Sequence, residues 1–408
     1  MVLSIVLSGC SKTGNASDDA EENVIPEDEI NDGDISGTPT LLFTASEIEE
    51  LKNAAASSSG SLKTAYDNLL IRCENGLSFT PSPYVGNNPT AFFDNVRGPA
   101  GLVRNLALGF VLTEDERYAT KAIEIMQAYA DACADVAYTQ DTGTGMLLAR
   151  SLYPLLCGYD LLRHDDLISD NTKETIVNWL EGIAPQIRAS VAYWEENGYF
   201  DAQEFQNHVA AHTMGLLALG YALDDSALIQ FAVDSPENPR DLYELITGSI
   251  LMEGDVPHHR EDPNAAAPED GEIYDRYRHK TGPVRGLQYA HLTLSLLSIS
   301  AKMCDNNGLE LFSYVAPTGE NLKLPFTYYA DFYRLKDACI KTNFYCGETE
   351  RLGKAGDNPG LFELGYNYYS DSQPLADLIA SGAYDRGTAY MDILGYTRFL
   401  SVSVDPVR

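Results

Sequence analysis

The sequence is poor in positive charge, with 28 Lys and Arg residues against 60 Asp and Glu and a formal net charge of −32. The field of such a chain repels nucleic acid and anionic membrane surfaces, so the composition argues against either as the main partner. An anionic substrate would need a locally basic site. Long apolar runs are also missing, since no segment after the first residues approaches the ~20 apolar residues of a membrane span.

Closely spaced cysteines are missing as well. None of the seven cysteines forms a C-x-x-C pair, and their wide spacing argues against a zinc site. In an exported protein, Cys339 and Cys346 could close a small loop, and isolated buried thiols are the alternative.

The N-terminal segment "MVLSIVLSGCSK" is a short apolar run that ends in Leu-Ser-Gly-Cys. It resembles the lipobox of a bacterial lipoprotein, although it lacks the usual basic start, and a frayed terminus is the alternative. The resemblance implies a signal segment at 1–10, a lipid anchor on Cys10 and a periplasmic or cell-surface location. Residues 11–39, rich in acids, Ser and Gly, predict a solvated tether, and residues 40–408 the folded domain.

Helical periodicity dominates from residue 45 onward. The segment "TASEIEELKNAAA" begins with a cap at Thr44 or Ser46 that Glu49 would complete. About a dozen helices alternate with polar turns, and two-residue alternation is almost absent, which predicts an all-α fold. Because no fixed-period repeat occurs, we expect a closed (α/α) toroid, or barrel, of six or seven helical hairpins rather than an open solenoid. A toroid provides a deep axial cleft.

Two long stretches, 78–96 and 253–282, interrupt the helical rhythm. The second stretch and the start of the next helix hold eight of the chain's 35 Lys, Arg and His residues within 28 positions. Acids are interleaved with them, so a solvated mixed-charge loop is the alternative. In such an acidic protein, this concentration favours an anion site.

The stretch "EFQNHVAAHTMG" places Asn207, His208 and His212 on an otherwise apolar helix. A zinc-protease helix needs H-E-x-x-H, and Val209 stands where the glutamate would be, so we expect no metal here. Asn207 and His208 suit an anion, with His212 behind them.

Downstream, "VRGLQYAHL" places Arg285 and Tyr289 four residues apart on one helix face. Arg285 or Arg278 offers a guanidinium fork that matches a carboxylate, and Tyr289 offers a proton carrier. With Asn207 and His208, these are the groups that β-elimination on a uronic acid needs. Neutralising the C6 carboxylate acidifies the C5 proton, a base removes that proton, and an acid protonates the departing O4.

These motifs, in this order, resemble the alginate lyase group with an (α/α) toroid, polysaccharide lyase families 5 and 38. The resemblance spans most of residues 40–370, including "LLFTASEIEELK", "GFVLTEDERYATKAIEIMQAYADAC", "EFQNHVAAH", "VRGLQYAHL" and "LFELGYNYY". It implies a lyase that cleaves 1,4-linked polyuronate, alginate first and glucuronan second, with no cofactor. By matching position, Asn207 and an arginine would neutralise the carboxylate, and Tyr289 would be base and acid for syn elimination. His208 would help to neutralise it, or be the base where the proton lies on the opposite face.

The sequence departs from that pattern in two places. Gln206 stands where family 5 tends to have a second Asn, and the loop before the tyrosine looks lengthened by "EDPNAAAPEDGE". The matching arginine therefore stays open between Arg278 and Arg285. Tyr274 or Tyr277 could also face the substrate in place of the expected tyrosine.

Three further residues are candidates for substrate binding. Trp194 and Tyr199 precede the Asn-His helix and could stack on sugar rings, with packing as the alternative. Arg104 lies on an apolar helix and either points into the axial cleft or forms a buried ion pair.

Two other functions compete with the lyase. A glycoside hydrolase on the same fold needs two carboxylates about 5 to 9.5 Å apart, and the candidates are Glu195, Glu196, Asp201 and Glu204. A non-catalytic glycan-binding lipoprotein needs only the helices and the stacking aromatics.

Overall fold

The computed structural model describes residues 39–57, 59–197, 203–261, 264–279, 285–341, 344–352 and 358–402, within one compact unit, Ser36–Arg408. Cys10, most of the 11–39 segment, Tyr199 and Asp201 lie outside the described residues. The helices of the described part are α1 (Ala45–Ser57), α2 (Ser61–Gly76), α3 (Pro89–Thr113), α4 (Glu116–Cys133), α5 (Thr144–Leu162), α6 (Asp170–Glu196), α7 (Asn207–Leu223), α8 (Ser226–Val233), α9 (Leu242–Ser249), α10 (Gly286–Asn306), α11 (Lys323–Leu335), α12 (Leu361–Tyr368) and α13 (Gln373–Ala380).

The strands of the described part are short. Strand β1 (Ile250–Leu251) pairs antiparallel with β2 (Glu272–Ile273), and β3 (Tyr390–Met391) pairs antiparallel with β4 (Gly395–Tyr396). Short 3₁₀ helices cover Tyr274–His279, Thr349–Arg351 and Thr397–Ser401. The first pair of strands closes the base of the long loop that the sequence places before α10.

The helices form an (α/α) toroid, which confirms the predicted fold class. Helices α3, α5, α7 and α10 pack against one another in that order and form an inner layer, while α4 and α6 pack outside them. Inner helix α7 is buried along nearly its whole length, whereas outer helix α4 buries one face and exposes the other. Because an outer helix returns between successive inner ones, the inner helices run in the same direction.

Small residues let the inner helices approach closely. A Cβ atom on Gly215 of α7 would lie 2.4 Å from the Cβ of Ala149 on α5, and one on Gly158 of α5 would lie 2.6 Å from Val103 of α3. Real Cβ atoms do not come that close, so larger residues here would separate the helices.

The start of the domain is fixed by specific hydrogen bonds. The backbone amides of Thr40 and Leu41 donate to Asp160 of α5 at 2.8 and 2.9 Å. Thr44 then caps α1, because its hydroxyl accepts from the Glu47 amide while the Glu47 carboxylate accepts from the Thr44 amide. The cap is therefore Thr44 with Glu47, not Ser46 with Glu49.

The cysteines divide into a bridge and buried thiols. Cys339 and Cys346 form a disulfide, and Cys73, Cys133, Cys157 and Cys304 are buried and free. Within the described part of the chain, no helix is both long and apolar enough to cross a membrane.

Candidate active site

The 3₁₀ helix Tyr274–His279 organises the candidate site. With three residues per turn, side chains three apart share a face. Tyr274 and Tyr277 form one face, Asp275 and Arg278 a second, and Arg276 and His279 a third. The contacts below show that each face has its own function.

Asp275 holds the start of α7. The carboxylate is fully buried, and its Oδ2 accepts hydrogen bonds from the Asn207 backbone amide at 2.8 Å and from Asn207 Nδ2 at 3.3 Å. Thr293 of α10 donates to the same oxygen, while Oδ1 has no hydrogen-bond partner. Burial raises the pKa of Asp275 to about 6. Asp275 thus caps α7 from a distant segment, since the Gln206 side chain at the N-cap makes no capping bond.

This cap also orients the Asn207 amide. Because one Nδ2 hydrogen is directed to Asp275, the second hydrogen remains available for a ligand. Asn207 is buried at the first position of α7, where the positive end of the helix dipole favours an anion.

Arg276 fixes the long loop to the core. Its guanidinium donates to Glu261 Oε1 and Oε2 at 3.2 and 3.1 Å, to Glu272 and to the Ala266 carbonyl, and all three charged side chains are about 1% exposed. Glu261, Glu272 and Arg276 are called the loop anchor below.

His279, on the same face as Arg276, joins the loop to α10. Its Nδ1 lies 2.6 Å from Glu348 Oε1, and Glu348 also accepts from the amides of Gly286 and Leu287, both at 2.8 Å. Glu348 thereby caps α10. A Cβ on Gly286 would lie 2.8 Å from the Arg276 carbonyl, so glycine is needed where the loop meets the helix.

Arg278 packs on Tyr289. Its Cζ lies 4.4 Å from the centre of the Tyr289 ring, and Tyr289 itself is half-buried near the start of α10. Arg285 is the N-cap residue of α10 and meets Arg278 through its backbone, with its amide 3.4 Å from the Arg278 carbonyl. Of the two candidate arginines, Arg278 is the one whose guanidinium contacts the tyrosine.

His208 is held as a neutral imidazole. Its Nδ1 lies 2.8 Å from the Thr142 carbonyl, and because a carbonyl only accepts, Nδ1 carries the hydrogen. Burial lowers the pKa of His208 to about 4, and the nearby charges of Arg278 and Arg150 act in the same direction. Near neutral pH, Nε2 is therefore the nitrogen that can accept a proton.

Trp194 and His212 pack behind His208. The Trp194 ring centre lies 5.1 Å from that of His208 and 6.3 Å from that of His212. Both residues are 2% exposed, and burial lowers the pKa of His212 to about 3. The position matches the expectation of a histidine behind the site, whereas so buried a Trp194 cannot stack on a sugar ring.

Arg150 of α5 joins the site without having been expected from the sequence. It is half-buried and interacts electrostatically with Tyr289 and His208. Asn207, His208, Arg278, Tyr289 and Arg150 are called the central cluster below. Asn207, His208 and Tyr289 lie in the first turn of inner helices α7 and α10, where the helix dipoles favour negative charge.

Arg104 is engaged elsewhere. It is buried on α3, and its guanidinium donates to the Asp392 carbonyl at 2.7 Å, to the Tyr390 hydroxyl at 2.9 Å and to Asn105 at 3.2 Å. The substrate-binding role expected for Arg104 is not supported, because these contacts hold the β3–β4 hairpin. Gln206 is also buried and donates to Gln203.

The two alternative tyrosines, which share the first face of the 3₁₀ helix, belong to an aromatic group. The Tyr277 ring stacks on His258 at 4.1 Å, and Tyr274 meets His258 edge-on at 5.3 Å. Tyr277 is fully buried, and burial raises its pKa to about 12. Tyr289 is therefore the better placed proton carrier.

Carboxylate pairs and metal ligands are scarce at this site. Glu195 and Glu196 are exposed at the end of outer helix α6, and Glu204 lies 3.9 Å from Arg240. Among the described residues, no group of three His, Cys, Asp or Glu side chains could hold a metal ion. The arrangement offers cations, an amide, a phenol and a neutral imidazole, which suit a carboxylate substrate.

Comparison with known proteins agrees with this chemistry. A family model described as alginate lyase matches residues 86–338, more than half of the chain. An alginate lyase from Bacteroides ovatus is 12% identical with a TM-score of 0.62, covering 90% of this chain and 100% of that one. Alginate lyase A1-III from Sphingomonas species A1 is 15% identical with a TM-score of 0.60, covering 91% and 99%. A histidine-to-alanine variant of A1-III complexed with tetrasaccharide is 13% identical with a TM-score of 0.61, covering 90% and 98%. No curated protein matches the sequence.

Proposed function

Because the chain belongs to the alginate lyase family of polysaccharide lyases, we propose that it cleaves a 1,4-linked polyuronate by β-elimination at the central cluster. Alginate is the first substrate and glucuronan the second. The observation that carries the proposal is the convergence of Asn207 and Tyr289 on one face of the 3₁₀ helix, through Asp275 and Arg278.

The first step is neutralisation of the C6 carboxylate. The second Nδ2 hydrogen of Asn207 and the guanidinium of Arg278 donate to its oxygens. Donors fixed in advance by Asp275 stabilise the enolate-like charge that develops as the C5 proton leaves.

Tyr289 then carries the proton. For syn elimination the Tyr289 phenolate removes the C5 proton, the C4–O4 bond breaks and a C4=C5 double bond forms. The phenol so formed gives that proton to the departing O4, which restores the phenolate. Arg278, packed on the ring, stabilises negative charge on the oxygen during the transfer.

His208 suits the opposite stereochemistry. A uronate whose C5 proton lies on the other face of the ring needs a base there, and a neutral imidazole with an unprotonated Nε2 is such a base. A neutral His208 contributes little to neutralising the carboxylate, so we assign that task to Asn207 and Arg278.

We also propose that the protein is an exported lipoprotein anchored through Cys10, on the basis of the lipobox-like segment. Expression of the full chain in a bacterium should place it in the membrane fraction. A Cys10→Ser variant should appear in the soluble exported fraction, and an unchanged distribution would remove the anchor.

The test of function follows the ultraviolet absorbance of the C4=C5 double bond. The purified domain is incubated separately with polymannuronate, polyguluronate and glucuronan, in the presence of a chelator. We expect a rise on at least one polymer, and a fall of roughly 10³-fold or more in kcat for Tyr289→Phe, with binding retained.

Two outcomes would contradict the proposal. New reducing ends without a rise in absorbance would indicate hydrolysis. Binding without any cleavage would indicate a glycan-binding protein. Unaltered turnover by Tyr289→Phe would remove that residue from the mechanism while leaving the lyase activity standing.

A further inference from the structure

We propose that Arg150, with Arg97 beside it, forms a second carboxylate-binding subsite, for the uronate residue next to the one cleaved. The inference rests on the proposed function, and it assigns the substrate a requirement for a neighbouring carboxylate.

The first observation is that Arg150 has no anionic partner within the part of the chain that the structure describes. Its one hydrogen bond within the described residues runs from Nη1 to the sulfur of Met146, at 3.5 Å. No ion pair joins it to a described carboxylate. Asp392, exposed on the β3–β4 hairpin, is near enough to interact electrostatically but forms no ion pair. Burial lowers the pKa of Arg150, as expected for a cation removed from water without a counter-ion.

The second observation is the setting of this cation. The chain has a net charge of −32, so carboxylates to pair with Arg150 are abundant. A partly buried guanidinium that pairs with none of the described carboxylates destabilises the fold unless a ligand supplies the charge. A bidentate carboxylate is the anion that fits the planar fork.

The third observation is the position of a second arginine. Arg150 and exposed Arg97 lie near the same Phe93 ring, with Cζ atoms 5.9 and 5.6 Å from its centre. Two like charges this close repel each other, and Arg97 contributes to the lowered pKa of Arg150. An anion bound beside both guanidinium groups relieves that repulsion.

The subsite is separate from the reacting carboxylate. Asn207 and Arg278 already converge on the Tyr289 side, and both are positioned by the 3₁₀ helix. Arg150 and Arg97 come from α5 and α3, and Arg150 interacts electrostatically with Tyr289 from there. In a polyuronate every sugar carries a carboxylate, so a chain that places one at Asn207 brings another past its neighbours.

The experiment compares binding, turnover and stability in matched variants. Affinity for mannuronate tetrasaccharide is measured by calorimetry in a Tyr289→Phe background, so that no cleavage occurs. We expect Arg150→Met to weaken binding about 10-fold or more, because a charged hydrogen-bonded pair is lost, and Arg97→Gln to weaken it less. Arg188→Gln on outer helix α6, which removes an arginine with a 47% exposed side chain far from the site, is the control and should bind as before.

Stability distinguishes a subsite from a structural arginine. Arg150→Met should raise Tm slightly, because it removes an uncompensated charge while keeping an apolar stem. A lower Tm would indicate that Arg150 supports the fold, and would overturn the proposal. Arg150→Lys retains the charge without the fork, and should recover part of the affinity.

Kinetics in the otherwise unaltered enzyme complete the test. With polymannuronate, Arg150→Met should raise KM and leave kcat nearly unchanged. A loss confined to kcat would place Arg150 on the reacting carboxylate, and unchanged affinity and KM would remove the subsite. If the unaltered enzyme cleaves no polyuronate and the Tyr289→Phe protein binds no tetrasaccharide, the proposed function itself fails.

Discussion

Arg276 and Arg150 are two arginines in opposite surroundings. In the loop anchor, Arg276 is nearly inaccessible, and Glu261, Glu272 and a carbonyl satisfy its guanidinium. In the central cluster, Arg150 is half-buried and its one described hydrogen bond goes to a methionine sulfur. The anchor is electrostatically complete without a ligand, whereas the cluster carries positive charge that a ligand can neutralise.

The difference between these two arginines separates a charge that stabilises the fold from a charge that binds a ligand. Charges that hold a loop are matched within the protein, because an unmatched buried charge destabilises it. Arg150, which we propose to bind substrate, forms no ion pair with a described carboxylate, and the neighbouring groups adjust. His208 and His212 stay neutral beside the arginines, since burial and the nearby charges oppose a further positive charge.

The 3₁₀ helix joins the two regions. Arg276 belongs to the anchor, and its neighbours Asp275 and Arg278 serve the central cluster on another face. The anchor therefore fixes the site indirectly, because any movement of Arg276 also moves the cap of α7 and the guanidinium on Tyr289.

The largest expected effect concerns the anchor. Arg276→Met would leave Glu261 and Glu272 buried without their cation, and we expect a loss of about 3 to 5 kcal/mol in the free energy of unfolding. Urea denaturation at neutral pH measures it. Arg117→Met is the control, because Arg117 pairs with Asp115 and Glu74 in solvent and its loss should change stability far less. Equal effects of the two variants would contradict the distinction between matched buried and exposed charge.

The second effect concerns the cluster. Asn207→Ala should lower kcat by on the order of 10²- to 10³-fold, by loss of one donor to the developing charge. Steady-state kinetics on the polymer that the unaltered enzyme cleaves would measure it. A change in KM alone would mean that Asn207 binds the ground state and the transition state equally well.

The third effect is a pH dependence of the free energy of unfolding, which arises from the neutral histidine His212. The pKa of His212 is about 3 in the folded protein and near 6.5 in the unfolded chain, so the unfolded chain binds the proton first as pH falls. The contribution of neutral His212 to the free energy of unfolding is complete above about pH 6.5 and is lost as pH falls toward 3. Relative to His212→Gln, the protein should lose about 2 kcal/mol between pH 7 and pH 5.

The comparison with a variant is needed because buried acids, Asp241 and Asp275 among them, change in the opposite sense. Burial raises the pKa of Asp241 and of Asp275 to about 6, so their destabilising contribution disappears as pH falls through that value. The difference between the unaltered protein and His212→Gln cancels both. A pH-independent difference would mean that His212 titrates normally in the folded state.

The sequence predicts the fold well, because periodicity reports which helix faces are buried. Mostly apolar α7 and one-sided α4 differ in sequence as they differ in burial. The sequence predicts the residues that cap the helices less well. At α1, Thr44 and Ser46 both satisfy the N-cap pattern, and the geometry of the first turn selects Thr44 with Glu47. The caps of α7 and α10 come from Asp275 and Glu348, which are distant in sequence and therefore invisible to a local pattern.

The candidate site is predictable only where its residues lie together in the chain. Asn207, His208 and Tyr289 stand in short recognisable motifs, and the structure brings them into one cluster with Arg278. Arg150 stands in "GMLLARSLYPLL", where a lone arginine gives no signal. What distinguishes it is that no described carboxylate forms an ion pair with it in three dimensions. The same limit explains Arg104, which resembles Arg150 in sequence and is engaged by the β3–β4 hairpin.

The smallest expected effect tests Asp275, the residue that links the two regions. Its Oδ2 accepts all three hydrogen bonds and its Oδ1 accepts none. Asp275→Asn can therefore keep the three bonds on one amide oxygen, with the NH₂ group in place of Oδ1, and should nearly retain kcat. Asp275→Ala removes the acceptor, leaves the Asn207 amide unoriented, and should lower kcat about 10-fold with little change in KM.

Thr293→Val is the matched control, since it removes one donor to Asp275 without contacting Asn207. If hydrogen bonding orients Asn207, Thr293→Val should behave like Asp275→Asn and not like Asp275→Ala. Equal losses in Asp275→Asn and Asp275→Ala would mean that the buried negative charge acts on the cluster directly. The 3₁₀ helix would then supply a charge to the central cluster as well as position its residues. Asp275 would have to be counted among the charges of the cluster, which a ligand neutralises, and not with the loop anchor, which neutralises itself.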